Sequence, residues 1–484
     1  MTLVATIVVV VYSLCLAFIF CYSLVQLHLT WLYLTRSPKQ HPTIVLQEWP
    51  TVTVQLPVYN ERYVVARLID AVAAFDYPKT NLQIQLLDDS TDDTSTIISE
   101  KLALLKQQGF SVEHIRRSDR TGFKAGALQH GLQTATGEFV AIFDADFVPS
   151  PDFLKQTIAG FISPEIGVVQ ARWAHLNPNY SLLTRLQAFG LDAHFTVEQV
   201  GRNYGNYFIN FNGTAGVWRK TCIVDAGGWH SDTLTEDLDL SYRAQLKNWK
   251  FVYQEQTESP AELPSEMSGL KSQQYRWTKG AAETARKHLG NVLSSRKPFS
   301  TKLHAFFHLL NSNVFICVLL TAILSVPVLF IKVSNAQFGW VFKLGTLFIG
   351  SFLVLVFFYG VAANRRQQGF SFIVDFLLFL AMSMGMSLHN SLAVVEGYLG
   401  RKTPFIRTPK YNIVATQGSW QHKLYTLPGI SLVTWLEGLL TLYFVWGIWL
   451  GINYSNYGLV PFHLMLATGF GLVFFYTLAH HKKA

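Results

Sequence analysis

The chain has 484 residues, half of them apolar and only 14% charged, with a formal net charge of +8. That composition excludes an ordinary soluble domain, in which about a quarter of residues are charged. The apolar residues crowd the two ends, so the pattern is that of a soluble middle between membrane segments. The positive charge comes without a basic stripe or a nucleic-acid motif and predicts no nucleic-acid partner. It reads as Lys and Arg facing anionic lipid on the cytoplasmic side of a bilayer, plus phosphate-binding residues.

Residues 1–35 are predicted to form one transmembrane helix, since 4–34 are apolar and Arg36, Lys39 and His41 follow, a signal-anchor pattern with its C-terminal end in the cytoplasm. Residues 45–300 alternate short apolar runs with helical periodicity, which predicts an α/β domain around a largely parallel sheet. Strands are expected at Thr51–Val58, Leu82–Leu87, Phe139–Asp144 and Ile166–Ala171, and helices over 61–74, 93–107, 123–135 and 269–289. Ser90 and Asp92 are candidate N-caps for the second helix, and Thr235 for a helix opening Glu236-Asp237-Leu238-Asp239. Cys15, Cys21, Cys222 and Cys317 fit neither a zinc spacing nor a disulfide framework.

Phe143-Asp144-Ala145-Asp146 ends the third strand. Residues two apart on a strand point to one side, so both carboxylates are expected to project together where open α/β sheets bind ligands. Oxygen ligands of this kind suit Mg²⁺ or Mn²⁺ shared with a substrate phosphate. Asp88 and Asp89 end a second strand pointing the same way. Lys124 and Arg120, at the start of a helix, have the charge to hold a diphosphate. Arg276 and Trp277 side by side suit a phosphate clamp and a sugar-stacking face. Each motif alone has a plain structural alternative: an acidic turn, a basic helix start, a helix-dipole acid or helix packing. Gly-x-Gly-x-x-Gly and Walker loops are absent from the sequence, which counts against a dinucleotide or P-loop reading.

Beyond residue 300, apolar segments at 313–331, 339–362, 371–393, 430–452 and 457–479 predict a membrane region. Arg365 and Arg366, Arg401, Lys402, Arg407 and Lys410, and Lys482 and Lys483 all fall on the cytoplasmic side if 371–398 is interfacial and the other four segments span. Asp375, His389 and Asn390 suit such an interfacial or re-entrant segment.

Taken together, Pro57-Val58-Tyr59-Asn60-Glu61, Leu87-Asp88-Asp89-Ser90-Thr91-Asp92, Lys124-Ala125-Gly126 and Phe143-Asp144-Ala145-Asp146 resemble glycosyltransferase family 2. Thr235-Glu236-Asp237 and Gln273-x-x-Arg276-Trp277 resemble its processive, cellulose-synthase-like branch. Phe211-Asn212-Gly213-Thr214-Ala215-Gly216, Val168–Trp173 and Glu262-Leu263-Pro264-Ser265 are similar to the plant mannan and glucomannan synthases of the cellulose-synthase-like A group. The resemblance implies a cytosolic GT-A, Rossmann-like catalytic domain joined to a multi-helix transmembrane domain. It implies a nucleotide-sugar donor, GDP-mannose or UDP-glucose, bound with Mg²⁺ or Mn²⁺. Pro57, Tyr59, Glu61, Asp88, Asp89, Lys124, Asp144, Gln273 and Arg276 would bind the donor. Asp144 and Asp146 would hold the metal, Asp237 would be the general base and Glu236 would stand beside it. Trp277, with Phe211, Asn212, Gly213 and Thr214, would face the growing glycan acceptor. Phe405, Arg407, Thr408 and Lys410, within 401–410, look like the family's gating loop. The expected product is a β-1,4-linked glycan passed through the protein's own helices at the plasma (inner) membrane. A glycolipid synthase adding one sugar is the alternative, and a transporter that has lost catalysis a remote third.

Overall fold

The protein, seen as a computed structural model, is described over residues 2–36, 48–334, 339–365, 371–403, 405–421, 423 and 429–481. Lys39, His41, Arg366, Lys482 and Lys483, and the side chain of Arg365, on which the charge reading partly rests, lie outside these described residues.

Seven strands form one sheet: β1 (Val52–Val58), β2 (Leu82–Asp88), β3 (Ser111–Arg116), β4 (Phe139–Ile142), β5 (Ile166–His175), β6 (Gly216–Arg219) and β7 (Lys250–Ala261), in the order β3-β2-β1-β4-β6-β5-β7. β1 is parallel to β2 and β4, with Val58 opposite Asp88 and Gln55 opposite Ile142. β6 runs against both β4 and β5. Its direction follows from its entry: the 211–215 turn lies at the C-terminal end of β4, so a strand leaving that turn must run back down the sheet. β3, β6 and β7 were not expected from the sequence, and β5 runs on to His175, past the expected end at Ala171.

Alternation builds the two faces of the sheet. Val52, Val54 and Leu56 of β1 join Leu68, Ile98 and Phe143 in the larger apolar core. Thr53 and Gln55 point the other way and are buried too, but Thr53 Oγ1 donates to Gln83 Oε1 at 2.7 Å and Gln55 Nε2 to Gln85 Oε1 at 3.0 Å. Pairing of this kind removes the penalty for burying polar groups. Phe143 packs its ring 4.9 Å from Phe153 and 5.8 Å from Phe75, which anchors the segment leading into Asp144.

Helices at Leu3–Thr35, Asn313–Val333, Leu432–Asn453 and Tyr457–His481 are long and apolar enough to cross a membrane. Gly339–Arg365 is a further helix of 27 residues, apolar over Ile349–Asn364. Ser371–Gly385 and Ser387–Tyr398 are two helices bent by 48°, the shape of a broken span or a re-entrant segment. The membrane helices grip the catalytic domain at several points. A Cβ on Gly201 would lie 2.5 Å from the Leu29 carbonyl oxygen, and Phe189 stacks on Tyr359 at 5.2 Å. Lys271 of the Met267–Ser294 helix donates to Glu437 Oε2 at 2.7 Å.

Candidate active site

The parallel strands β1, β2 and β4 put Pro57, Asp88 and Asp144 along one edge of the sheet. A cavity of about 200 Å³ opens there. Pro57, Tyr59, Glu61, Asp89, Lys124, Asp144, Asp146, Asn212, Gly213, Glu236, Asp237, Gln273, Arg276, Trp277, Phe405, Arg407, Thr408 and Lys410 all line it. These positions come from eight separate stretches of sequence, and only the fold brings them together.

Contrary to the expected strand Phe139–Asp144, Asp144 and Asp146 lie beyond the strand, because β4 stops at Ile142, where its pairing to Gly216 ends. They occupy the turn beyond, where the Asp144 N–H donates to Thr214 Oγ1 at 2.9 Å. The two carboxylates consequently take different partners. Asp144 Oδ1 accepts from Lys124 Nζ at 2.5 Å, and Asp146 Oδ2 lies 2.8 Å from Lys410 Nζ.

Lys124 is the hub of the inner wall. It also donates to the Gly213 carbonyl at 2.9 Å and lies 3.9 Å from Glu236 Oε1. Burial opposes its charge, but Asp144 and Glu236 outweigh burial and hold its pKa above the ordinary lysine value. Gly213 has φ +78, and a Cβ there would stand 3.0 Å from Asp237 Oδ2, so glycine lets the backbone approach that carboxylate. Burial, with Glu236 alongside, pushes Asp237 up to about 7; burial raises Glu236 as well. Thr235 does stand at the N-cap, but its side chain makes no cap bond and its hydroxyl meets Thr284 Oγ1 at 3.2 Å. A Cβ on Gly280 would lie 2.9 Å from the Thr235 N, so the Met267–Ser294 helix is seated directly on this turn.

The Phe405–Lys410 loop closes the outer wall. Phe405 stacks on Phe123 with centroids 5.6 Å apart, and the Arg276 guanidinium lies over the Phe405 ring at 4.7 Å. Arg276 Nη2 donates to Thr408 Oγ1 at 2.7 Å, and Arg407 Nη1 lies 2.5 Å from Glu61 Oε2. Arg120 stacks on Tyr59, 3.3 Å from the ring centroid.

Asp88, Phe211 and Thr214 are not in the lining. Asp88 stands behind the wall, fully buried, accepting from Ser95 Oγ at 2.6 Å and the Ser90 N–H at 2.8 Å, with His114 Nε2 2.8 Å away. Burial would raise it, but these bonds outweigh burial and hold it at about 2. Phe211 is buried against Trp218 and Trp229, and Thr214 acts through Asp144. Nor is Ser90 or Asp92 the N-cap of the Thr94–Gln107 helix, a position held by Asp93: the Ser90 hydroxyl accepts from the Asn60 N–H, and Asp92 Oδ1 accepts from Thr94 N at 3.0 Å.

Sequence reading gave no role to Glu262, Arg67 or Trp173. Glu262 is buried: its N–H donates to Asp146 Oδ2 at 3.2 Å, and its Oε1 accepts from Tyr411 N at 2.8 Å. Its Oε2 accepts no hydrogen bond, with Arg67 Nη2 3.8 Å away. Trp173 lies 6.4 Å from Trp277 and 5.0 Å from Phe195, ring centroid to centroid. Trp173 and Glu262 lie in two of the segments that resemble the plant synthases, a signal that marks them without giving them a role.

A second cavity, of about 420 Å³, shares Trp173, Asn212, Asp237, Gln273 and Trp277 with the first. It runs between Phe195, Phe315 and Phe379 and the polar side chains of Gln187, His194, Asn311 and Asn390. Elsewhere, His230, Asp232 and Asp239 are the one group of three such side chains, among the described residues, that lie close enough together to hold a metal. Lys287 lies 2.8 Å from Asp232 Oδ2 and 2.7 Å from Asp239 Oδ1, and Arg243 lies 2.8 Å from Asp239, so that cluster already holds its cations.

A mixed sheet with an acidic rim, a basic helix start and an acid at about pH 7 defines a group-transfer site for an anionic donor. Residues 50–280 match the family model described as glycosyltransferase like family 2. The chain is 35% identical over 393 residues to glucomannan 4-beta-mannosyltransferase 1 of Oryza sativa subsp. japonica, covering 77% of this chain and 71% of that one. It is 38% identical over 362 residues to probable glucomannan 4-beta-mannosyltransferase 3 of the same plant, covering 72% and 63%. The chain belongs to glycosyltransferase family 2, and its likeness to those plant enzymes runs on from the catalytic domain into the membrane helices. In fold it is similar to a mannosyltransferase from Pyrobaculum calidifontis solved with GDP-mannose and Mn²⁺. The TM-score is 0.54 at 16% identity, covering 82% of this chain and all of that one.

Proposed function

We propose that this chain is an inverting, processive hexosyltransferase. It polymerises hexose from GDP-mannose or UDP-glucose into a β-1,4 glycan and passes the glycan through its own membrane helices. The observation that carries the reading is the wall that the two cavities share: Trp173, Asn212, Asp237, Gln273 and Trp277 line both the donor cavity and the second one, whose other side chains are largely aromatic, amide and apolar. Aromatic faces with hydrogen-bonding neighbours suit a sugar chain sliding through.

In the reaction, Asp237 takes the proton from the acceptor hydroxyl. The freed oxygen attacks the anomeric carbon opposite the diphosphate. The carbon–oxygen bond to the phosphate breaks, and the linkage inverts from α to β. Lys124 and Arg276 meet the charge developing on the leaving diphosphate. Trp277 carries the acceptor end, with Trp173 beside it. Asp146, with Asp144, fits Mg²⁺ or Mn²⁺: the donors are hard carboxylate oxygens, and Glu262, whose N–H donates to Asp146, has a buried side-chain oxygen without a hydrogen bond. Bound there, the ion would supply Lewis-acid support to the diphosphate.

In topology, the catalytic domain and the 401–410 segment face the cytoplasm and 371–398 stays in the interface. Reagent labelling of a cysteine placed at 407 from outside the cell would overturn that arrangement. Membranes incubated with each labelled nucleotide-sugar should yield a long β-linked polymer, and Trp277→Ala should abolish elongation. A lipid bearing a single sugar, whichever donor is supplied, would replace the polymerase with a glycolipid synthase.

A further inference from the structure

Three carboxylates meet at the outer wall of the donor cavity: Glu61, Asp146 and Glu262, all less than a tenth exposed. Three cations face them. Arg67 belongs to the catalytic domain and lies 3.8 Å from Glu262. The other two, Arg407 and Lys410, come from the loop that follows the bent helix pair. Lys410 reaches deepest: its ammonium lies 2.8 Å from Asp146 Oδ2, donates to the Glu262 carbonyl, and is itself 9% exposed. Glu262 is the latch, since its N–H holds Asp146 while its side chain accepts from Tyr411 N, the residue after Lys410.

We propose that this loop and the divalent metal exchange for one another: Lys410 and Arg407 leave their carboxylates as one Mg²⁺ or Mn²⁺ arrives. This rests on the reading of Asp146 as the metal ligand. The physical reason is charge. With the loop docked, Arg407 stands against Glu61, Lys410 against Asp146 and Arg67 against Glu262. Withdrawing Arg407 and Lys410 strips Glu61 and Asp146 of their counter-charges, and a buried carboxylate without one is strongly unfavourable. One divalent ion restores the balance, whereas a monovalent ion leaves a deficit. Losing the Arg407 and Lys410 anchors loosens the loop around Ile406, while Phe405 on Phe123 and Thr408 on Arg276 keep it at the wall. Metal arrival thereby frees two cations for the incoming diphosphate. An enzyme without metal keeps its donor site plugged.

The test is Mn²⁺ binding to the purified full chain in nanodiscs, without nucleotide, read from the free-ion EPR signal. Lys410→Met should bind Mn²⁺ at least about tenfold more tightly than wild type, Arg407→Gln several-fold more tightly, and Lys410→Arg about as weakly as wild type. Independently of those variants, a spin label at Ile406→Cys, an exposed position in the loop, should gain mobility as Mn²⁺ saturates the otherwise wild-type loop. Unchanged affinity in Lys410→Met, or an unmoved label at saturation, overturns the exchange. Asp146→Asn separates the two readings. If it abolishes Mn²⁺ binding while Lys410→Met changes nothing, the metal site stands and the exchange falls. If Asp146→Asn leaves binding intact, the metal-site reading fails and the exchange fails with it.

Discussion

The acidic ends of β2 and β4 look alike in sequence and behave oppositely in the fold. At β2, Asp88 is saturated by His114, Ser95 and Ser90, and Asp89 is paired with Arg117 through Arg117 Nε at 3.0 Å. All of those partners lie within 30 residues and in the same domain. At β4, Asp144 also has a local partner, Lys124, 20 residues away, but Asp146 is paired with Lys410 from a loop more than 250 residues away. Local partners make a permanent wall. Distant partners on a separate element make one that can open. A carboxylate's role here is set by who neutralises it, and for how long.

Asp237 tests the open side most severely. Asp237→Asn keeps shape but removes the base, and turnover should fall about 10²–10⁴-fold while nucleotide affinity stays near wild type; single-turnover kinetics with labelled donor measures both. Full turnover in that variant would reduce Asp237 to a helix-start acid.

The closed side should break differently. Asp88→Asn leaves His114 and Ser95 facing a weaker acceptor and should cost about 1–3 kcal/mol of stability, read as a lower melting temperature, with little change in nucleotide affinity. A large loss of nucleotide affinity with stability intact would put Asp88 in the binding site after all. The same carboxylate makes a pH statement. Its folded pKa of about 2 lies below its ordinary value of 3.8. The stabilisation is therefore full above pH 4–5 and is lost as pH falls towards 2, a contribution of about 2 kcal/mol.

On the open side the shift has the opposite sign. Burial and the neighbouring Glu236 push Asp237 up to about 7, and only ionised Asp237 can accept the proton, so kcat should fall as pH drops through about 7 and level off above it. Glu236→Gln removes the neighbouring negative charge and should move that limb to lower pH by roughly one unit. An unmoved limb would assign the titration to another group. The smallest expected effect is Thr408→Ala. Losing the acceptor for Arg276 should cost about 1 kcal/mol of loop docking, seen as a few-fold change in KM for the donor with kcat nearly unchanged.

The amino-acid sequence by itself determined the strands β1, β2 and β4, the helices that follow them, the apolar ends, and most of the cavity's residues. Those features rest on local physics: apolar period, strand-end carboxylates and helix starts can be read within ten residues. Tertiary structure decided the rest. β7 carries Glu, Gln and Thr among its apolar residues, and its identity as a strand comes from pairing with β5, not from its own pattern. Asp88 and Asp144 have equal local signals, yet one is buried behind the wall and the other lines it, because His114 on β3 reaches the first and Lys124 reaches the second. Glu262 gained its place as a latch only when Lys410 and Tyr411 arrived from the far side of the membrane helices. Charge compensation acts over a few ångströms of space and is indifferent to distance along the chain, so no local pattern could have announced it.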